Sequence, residues 1–544
     1  MNTIQTLEQK FFTFLGTLGV KELPNIDFKL NADDQKQKFG DISSNAALML
    51  AKKLGVNPRH LAEEIINRFP DDAIKKIDIA GPGFLNIFLT EDAFKTIAKE
   101  LFTEKDHYFE HESPHGIFNL EFVSANPTGP LHLGHGRGGI IGDVLGNILK
   151  FLGYKITKEH YVNDAGAQMV KLGNSLKIRC QQETGQTIEM PEQAYHGDYL
   201  KDMAKECVTE HGKDVLEKSE QFFIDYAYAK QFEQLKKTTH AYGIDFDVWF
   251  SERTLHPEGI EQAIERLDKA GKTYTKDGAL WFKATDYGDD KDRVLKKADG
   301  TYTYAAADAA YMLDKFNRGF TTVVIVLGQD HDSYPKRLNG IRQALGLHDL
   351  NLDCIIYQLV SMKKDGESVR MSKRAGAIIN LQDVVDQVGT DVARFFYLNR
   401  KADAHLDFDL DLALKKDDEN PVYYLQYAYV RTNAIITKAK DIKGLEDINV
   451  FDAKHLTETE NLLIKKMAAL QELLEDISKN YQVHLLTYYL LELAHLFHNY
   501  YHHNRVIEPK DINQSRARLF LTILVQDTFE RCLTLMGVSK PERM

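Results

Sequence analysis

EFVSANPTGPLHLGHGRGG, residues 121 to 139, is the segment on which the fold turns. It begins as the end of an alternating, β-forming run, Phe118 to Ser124, passes through a loop containing Pro127 and Pro130, and opens a glycine-rich helix over Gly136 to Leu152. That helix carries apolar residues at 140, 144, 145, 148, 149 and 152, the spacing of one helical face. Gly153 is a natural stop, and Lys155 to Val162 reads as a second strand. Strand, helix and strand in this order form a βαβ unit, which calls for parallel pairing and a right-handed crossover.

A similar unit recurs downstream: a strand over Thr321 to Leu327, a helix over Tyr334 to Leu347 and a strand over Asp353 to Val360. The two halves predict one parallel sheet interrupted by a Gln-, Glu- and Lys-rich, largely helical insertion, about 165 to 300. Upstream, residues 1 to 112 read as a small α+β domain with helices over Asn45 to Leu54 and Pro58 to Phe69 and a strand over Gly83 to Leu89. From 405 to 544 long amphipathic helices predict an all-helical bundle. The fold class is therefore multidomain α/β, with a parallel-sheet domain over 113 to 404.

Composition narrows the function classes. With 544 residues, 43% hydrophobic and 27% charged, the chain has material for several cores and is not of disordered type. No apolar run reaches the roughly 18 residues a membrane helix needs, and the apolar patch Phe11 to Val20 lacks a basic leader, so it reads as part of a helix. Four widely spaced cysteines, Cys180, Cys207, Cys354 and Cys532, with no C-x-x-C, fit a reducing compartment and give neither a disulfide framework nor a zinc site. Cytoplasm is the expected location, and no dedicated metal site is expected. The net charge of −12 disfavours nucleic acid on its face, yet Pro421 to Met544 holds 15 Lys and Arg against 15 Asp and Glu, so charge does not decide the partner.

Two motifs mislead. Gly134, Gly136 and Gly139 form G-x-G-x-x-G with Glu159 following 20 residues on, but the dinucleotide fingerprint needs its first glycine directly after the strand, and here a ten-residue loop intervenes. Asp407, Asp409 and Asp411 imitate the opening of a calcium loop, whose sixth and twelfth positions are Leu412 and Asp418 rather than Gly and Glu. Their alternation with Phe408 and Leu410 reads as an extended segment.

The same glycine-rich segment reads better as His132-Leu133-Gly134-His135, two imidazoles at i and i+3 where the helix dipole favours anions. The histidines can donate to phosphate oxygens, while Gly134 lets the backbone lie against a nucleobase. After the second half comes KKDGESVRMSKRAG, Lys363 to Gly376, centred on Arg370, Met371, Ser372, Lys373 and Arg374. Cations at the carboxyl edge of a parallel sheet are placed to clamp a triphosphate. No P-loop is present.

H-L-G-H followed by M-S-K resembles the HIGH and KMSKS signatures of class I aminoacyl-tRNA synthetases. The segments SANPTGPLHLGHGRGGIIGD, YVNDAGAQ, DGTYTYAAADAAYMLDKF and ENPVYYLQYAYVRTNAI resemble arginyl-tRNA synthetases of bacterial type, and the resemblance runs over essentially the whole chain. It departs at Arg370, where the signature has its first lysine, so that a planar fork replaces a point charge.

The resemblance implies a Rossmann-like catalytic domain, an N-terminal domain that touches tRNA and an anticodon-binding bundle. It implies ATP as substrate with Mg2+, and L-arginine and tRNA(Arg) as partners. His132, His135, Lys373 and Arg370 become the catalytic set, and Gly134, Met371 and Ser372 join them around ATP. Glu121 and Asp308 become guanidinium carboxylates, as the substrate's cation requires. Tyr304, at i−4 from Asp308 on one helical face, becomes a stacking residue. Ser124, Asn126 and Gln329 complete the arginine site, the last two toward the α-amino end. Tyr423, Tyr427, Arg431 and Arg505 become tRNA contacts, as aromatics interleaved with Arg can stack splayed bases. A monomer that activates arginine only with tRNA bound is expected. Three alternatives fit the sequence less well: a small-molecule adenylyltransferase, which has no use for the bundle; a silent RNA-binding relative, which would have lost the signature residues; and cysteinyl-tRNA synthetase, which needs zinc ligands.

Overall fold

The computed structural model describes residues 1–20, 22–110, 116–369, 380–447 and 453–544. The N-terminal part packs helices Thr3–Gly16, Ala46–Leu54, Pro58–Arg68 and Glu91–Glu104 on an antiparallel sheet. Its strands β1 (Phe28–Leu30), β2 (Ile42–Ser44), β3 (Ile74–Ala80) and β4 (Phe84–Leu89) lie in the order β1-β2-β4-β3. Of the apolar patch Phe11 to Val20 the first helix takes only the part up to Gly16, with Phe11 and Leu15 on its buried face.

The central sheet consists of β5 (Ile117–Glu121), β6 (Lys155–Val162), β7 (Val248–Ser251), β11 (Thr322–Gly328) and β12 (Asn351–Tyr357), in the order β12-β11-β5-β6-β7 and parallel throughout. Successive strands leave β5 in one direction through β6 and β7, and in the other through β11 and β12. The crevice beyond the carboxyl ends of β5 and β11 is thus the switch point at which ligands bind in open α/β sheets. Within the insertion, helices Ala167–Glu183, Tyr199–His211 and Glu220–Ala241 share one core, and β8 (Thr273–Lys276), β9 (Ala279–Phe282) and β10 (Arg293–Lys296) form a small antiparallel sheet. The insertion is therefore less helical than expected. β7 returns to the main sheet as its edge, because Val248 to Ser251 register with Glu159 to Val162.

Two further glycines of the signature helix, Gly138 and Gly142, serve packing against the sheet. Helix Leu133–Phe151 lies so close to the sheet that a Cβ on Gly138 would meet the Tyr357 ring at 2.5 Å and one on Gly142 the Phe122 ring at 2.3 Å. Only hydrogen side chains permit that approach. The expected strand Asp353 to Val360 divides: β12 ends at Tyr357, and β13 (Val360–Lys364) begins a second small sheet with β14 (Glu367–Val369) and β15 (Leu406–Asp409). β15 is the extended Asp-Phe-Asp segment, paired parallel to β13. Helices Pro421–Ala439, Glu458–Ala468, Leu470–Asn480, His484–His503 and Ile512–Met536 complete the bundle. Among the described residues no helix is long and apolar enough to cross a membrane.

Candidate active site and an aromatic cluster of the bundle

At the carboxyl end of β5 the backbone turns through two non-glycine residues with positive φ, Val123 at 66° and Ser124 at 39°. Such strain persists only where its surroundings hold it and gathers at functional sites. The Ser124 hydroxyl does part of the holding: it donates to Glu121 Oε1 at 3.0 Å and accepts from the Tyr161 N–H at 3.1 Å. Glu121 is buried, and its Oε2 accepts from Lys315 Nζ at 2.6 Å, with that lysine only 1% exposed. Glu159 on the adjacent strand accepts from Tyr311 at 2.5 Å and from Arg318. Arg318 and Lys315, which lies 3.9 Å away, hold its carboxyl below the usual range against the opposing effect of burial.

This network floors a cavity of about 560 Å³ whose lining includes Glu121, Ser124, Asn126, His132, His135, Tyr304 and Asp308. Seven of the sequence-derived residues are thus brought together. Tyr304 stands at the start of helix Tyr304–Asn317 with 67% of its surface exposed. Asp308, one turn on, accepts from Tyr334 Oη at 2.5 Å and lies 3.5 Å from Arg337, while its Oδ2 makes no hydrogen bond. Burial pushes this carboxyl up to about 6, with Glu121 and Glu252 adding to the shift and Arg337 and Tyr334 opposing it. Gln329 occupies the short turn after β11 and is half-buried; its neighbours Gly328 and Asp330 line the cavity and it does not.

His132 is the N-cap of helix Leu133–Phe151. Its N–H donates to His135 Nδ1 at 3.1 Å, and the two rings stack with centroids 3.6 Å apart. That bond fixes the proton of His135 on Nε2. Desolvation, His132 and His160 push His135 down to about 3, so it is a neutral donor at physiological pH. Gly134 sits against the His132 ring, where a Cβ would approach to 3.2 Å. The segment is tied to the chain beyond the basic stretch, since Leu381 N–H donates to Leu131 O at 2.8 Å and His132 bridges Asn380. Arg370, Met371, Ser372 and Lys373 lie outside the described residues.

In the bundle, Arg431 donates to His498 Nδ1 at 2.8 Å and to Tyr427 Oη at 2.7 Å, with its guanidinium 4.6 Å from the Tyr427 ring and 5.1 Å from Tyr501. Tyr427 and Tyr501 are exposed. The result is a surface platform of two rings ordered by one cation. Tyr423 is half-buried one turn before Tyr427. Arg505 lies past the end of the His484–His503 helix, exposed, with Glu508 at 3.8 Å.

Residues 99–405 match the family model "tRNA synthetases class I (R), catalytic domain", residues 5–89 the arginyl-tRNA synthetase N-terminal domain, and residues 425–544 the DALR anticodon-binding domain. The arginine–tRNA ligase of Geobacter sp. strain M21 is 42% identical over 97% of both chains. The chain belongs to the arginyl-tRNA synthetase family. A second relative, arginine–tRNA ligase 1 of Halalkalibacterium halodurans, is 41% identical over 99% of both chains. The Thermus thermophilus arginyl-tRNA synthetase structure superposes with a TM-score of 0.77 at 19% identity, covering both chains completely, a likeness of fold. As a class I arginyl-tRNA synthetase the chain is an arginine–tRNA ligase that takes arginine, ATP and tRNA as substrates.

Sequence reading missed several residues of this synthetase's cleft: Tyr161, Glu252, Tyr334 and Arg337 in the lining, and Lys315 beneath it. Lys315 had a signal, because Asp308, Tyr311 and Lys315 follow the same helical face as Tyr304. Glu252 had none, as it reaches the cleft only through the pairing of β7 with β6.

Proposed function

We propose that the β5–β11 crevice binds arginine and activates it at the helix start carrying His132 and His135. The observation that carries this reading is one cavity holding buried carboxylates beside a neutral imidazole donor at a helix N-terminus. In the first step the arginine carboxylate attacks the α-phosphorus of ATP and pyrophosphate leaves, giving arginyl-adenylate. In the second, the 2′-hydroxyl of the terminal tRNA ribose attacks the adenylate's carbonyl carbon and AMP leaves. Neither step needs an enzyme nucleophile; positioning and charge stabilisation suffice.

His132 and His135 would stabilise charge on the α-phosphate, with His135 donating from Nε2–H. Gly134 would lie along the nucleotide. Lys373 and Arg370, with Met371 and Ser372, are assigned to the β- and γ-phosphates on the sequence alone. Asp308 and Glu121 provide the negative field for the guanidinium, Tyr304 covers it, and Ser124, Asn126 and Gln329 serve the other end. Mg2+ is proposed to arrive with ATP. Tyr423, Tyr427, Arg431 and Arg505 are proposed to face tRNA, and the enzyme to work as a cytoplasmic monomer.

Coupling between tRNA and activation has a covalent and hydrogen-bonded route. Arg137, on the signature helix, donates to Gln358, Lys401 and Ala404 carbonyls at 2.7–2.9 Å, and Asn399 accepts from Thr487 of the bundle at 3.1 Å. Arginine-dependent ATP–pyrophosphate exchange should therefore be negligible without tRNA(Arg) and arise on adding it. Robust exchange in RNA-free enzyme would defeat the coupling and leave the ligase activity standing.

A further inference from the structure

We infer that Arg394 is a positioning residue for arginine activation, through which the carboxyl end of the last bundle helix fixes the place of the His132–His135 helix start. This rests on the reading that those imidazoles act on the ATP phosphates. Arg394 lies in helix Thr390–Leu398 with none of its surface exposed. Its Nε donates to the Met536 carbonyl at 2.7 Å, its Nη1 to the Tyr242 and Gly243 carbonyls at 2.7 and 3.3 Å, and its Nη2 to Asp143 Oδ2 at 2.5 Å. One guanidinium thus joins the end of helix Ile512–Met536, the turn that follows insertion helix Glu220–Ala241 and the middle of the signature helix. None of these partners lines the cavity, so Arg394 can serve the reaction only through another group.

Helix Thr390–Leu398 holds the signature helix at two points. Besides Arg394 on Asp143, Tyr397 Oη donates at 2.9 Å to the carbonyl of Leu133, the residue between His132 and Gly134. Asp143 is only 3% exposed, and its Oδ1 accepts from Lys158 Nζ at 2.7 Å. Asn147, one turn on, makes a second link to the last helix by donating from Nδ2 to the Leu535 carbonyl at 3.1 Å. The fit on the bundle side is close: Gly537, at a φ of 66°, faces the guanidinium so tightly that a Cβ would lie 2.5 Å from Arg394 Cζ. The far end of the strut is held as well, since Asp391 accepts from the Ser539 N–H at 2.8 Å and from Gln426 Nε2 at 2.9 Å, Gln426 being next to Tyr427.

A buried ion pair gives up its hydration, and apolar side chains of the same volume often fill such a place with no loss of stability. What Arg394 adds is register, because its directional bonds fix three segments at one point. Asp143 lies eleven residues past His132, about 16 Å along the helix axis, so a tilt of about 4° at that end moves the imidazoles about 1 Å. A displacement of that size can cost about 100-fold in rate. Glu121 and Asp308, which supply the field for the substrate guanidinium, sit on β5 and on helix Tyr304–Asn317, to neither of which Arg394 is bonded. Arginine affinity is therefore outside its reach, while the rate of adenylate formation is within it.

The test is steady-state pyrophosphate exchange at saturating tRNA(Arg) by the full chain and its R394K, N147A and H135A variants, alongside calorimetric titration of each with arginine. Lys keeps a charge opposite Asp143 but cannot reach the three carbonyls together, so kcat should fall roughly 10- to 100-fold. KM and Kd for arginine should stay within about twofold, with the binding stoichiometry unchanged. N147A removes the Leu535 link, leaves Asp143 paired with Arg394 and Lys158, and should lower kcat by about two- to tenfold in the same pattern. An unchanged kcat in R394K, or in N147A should R394K fail to fold, would overturn the inference. A kcat loss matched by an equal loss of arginine-binding stoichiometry would also overturn it by making Arg394 a general anchor of the fold, and a loss confined to KM for tRNA would do so by placing the effect in docking. Full exchange by H135A would instead bring down the reading of the imidazoles on which the inference rests.

Discussion

Replacing Asp308 by Asn should make the empty enzyme more stable and the working enzyme worse. Burial, with Glu121 and Glu252, pushes Asp308 from 3.8 up to about 6. A raised carboxyl means that the folded state keeps a proton the unfolded chain gives up between about pH 4 and 6. Stability therefore falls as pH rises through that window, and the full penalty is present above it. About two pKa units correspond to about 3 kcal/mol. Asn keeps the hydrogen bond from Tyr334 but loses the ion pair with Arg337 at 3.5 Å, which brings the expected gain at pH 7.5 to about 1–3 kcal/mol. Thermal melts of ligand-free protein read this as a rise of roughly 2–6 °C, shrinking toward zero near pH 4. Arginine should raise the melting temperature of wild type far more than that of the variant. Wild-type arginine affinity should drop about tenfold per pH unit below about pH 6, as protonation competes with the cation. A D308N protein that melts below wild type at pH 7.5, or a difference that ignores pH between 4.5 and 7.5, would refute the burial argument.

Three other outcomes follow from the geometry. His132→Ala or His135→Ala should cut arginine-dependent pyrophosphate exchange by roughly 10²–10³ through loss of one oriented donor; because His135 titrates near 3, no inflection from it should arise in the wild-type exchange rate between pH 5 and 8. Lys315→Met strands Glu121 without its cation at 2.6 Å and should cost about 3–5 kcal/mol in urea unfolding, so an unchanged midpoint would show that the pair is not structural. Arg431→Ala should weaken tRNA(Arg) binding by about tenfold, since one stacked base is worth roughly 1–3 kcal/mol, while ATP binding stays unchanged; undiminished tRNA affinity would return the Tyr427 platform to mere packing.

The sheet was legible at β11 because burial on both faces writes itself into the sequence as the β-branched run TVVIV, and at β6 because a helix stop at Gly153 precedes a segment that must return to the sheet. Lys155 to Val162 is β6 to the residue, and the Thr321 run is β11 shifted by one. The helix start at His132 was legible from its glycines, although Gly138 and Gly142 further along serve close helix–sheet contact rather than access for a ligand. Asp308 and Tyr304 share a helical face that spacing alone reveals. What spacing could not reveal is which groups neutralise one another: Lys315 against Glu121, and Arg337 against Asp308, meet only after strands far apart in sequence have paired. Glu252 is hidden for the same reason, inside an insertion whose polar composition reads as solvent-facing. The positive φ at Val123 and Ser124 likewise has no composition signal, as neither residue favours that region.

The most direct test of the account is aminoacylation of tRNA(Arg) by the purified chain with ATP, each of the twenty amino acids being offered separately. The account predicts that arginine alone is esterified, with one AMP formed per charged tRNA, and that D308N loses this activity through a raised KM for arginine. Failure to charge arginine, or equal charging of lysine, would contradict it.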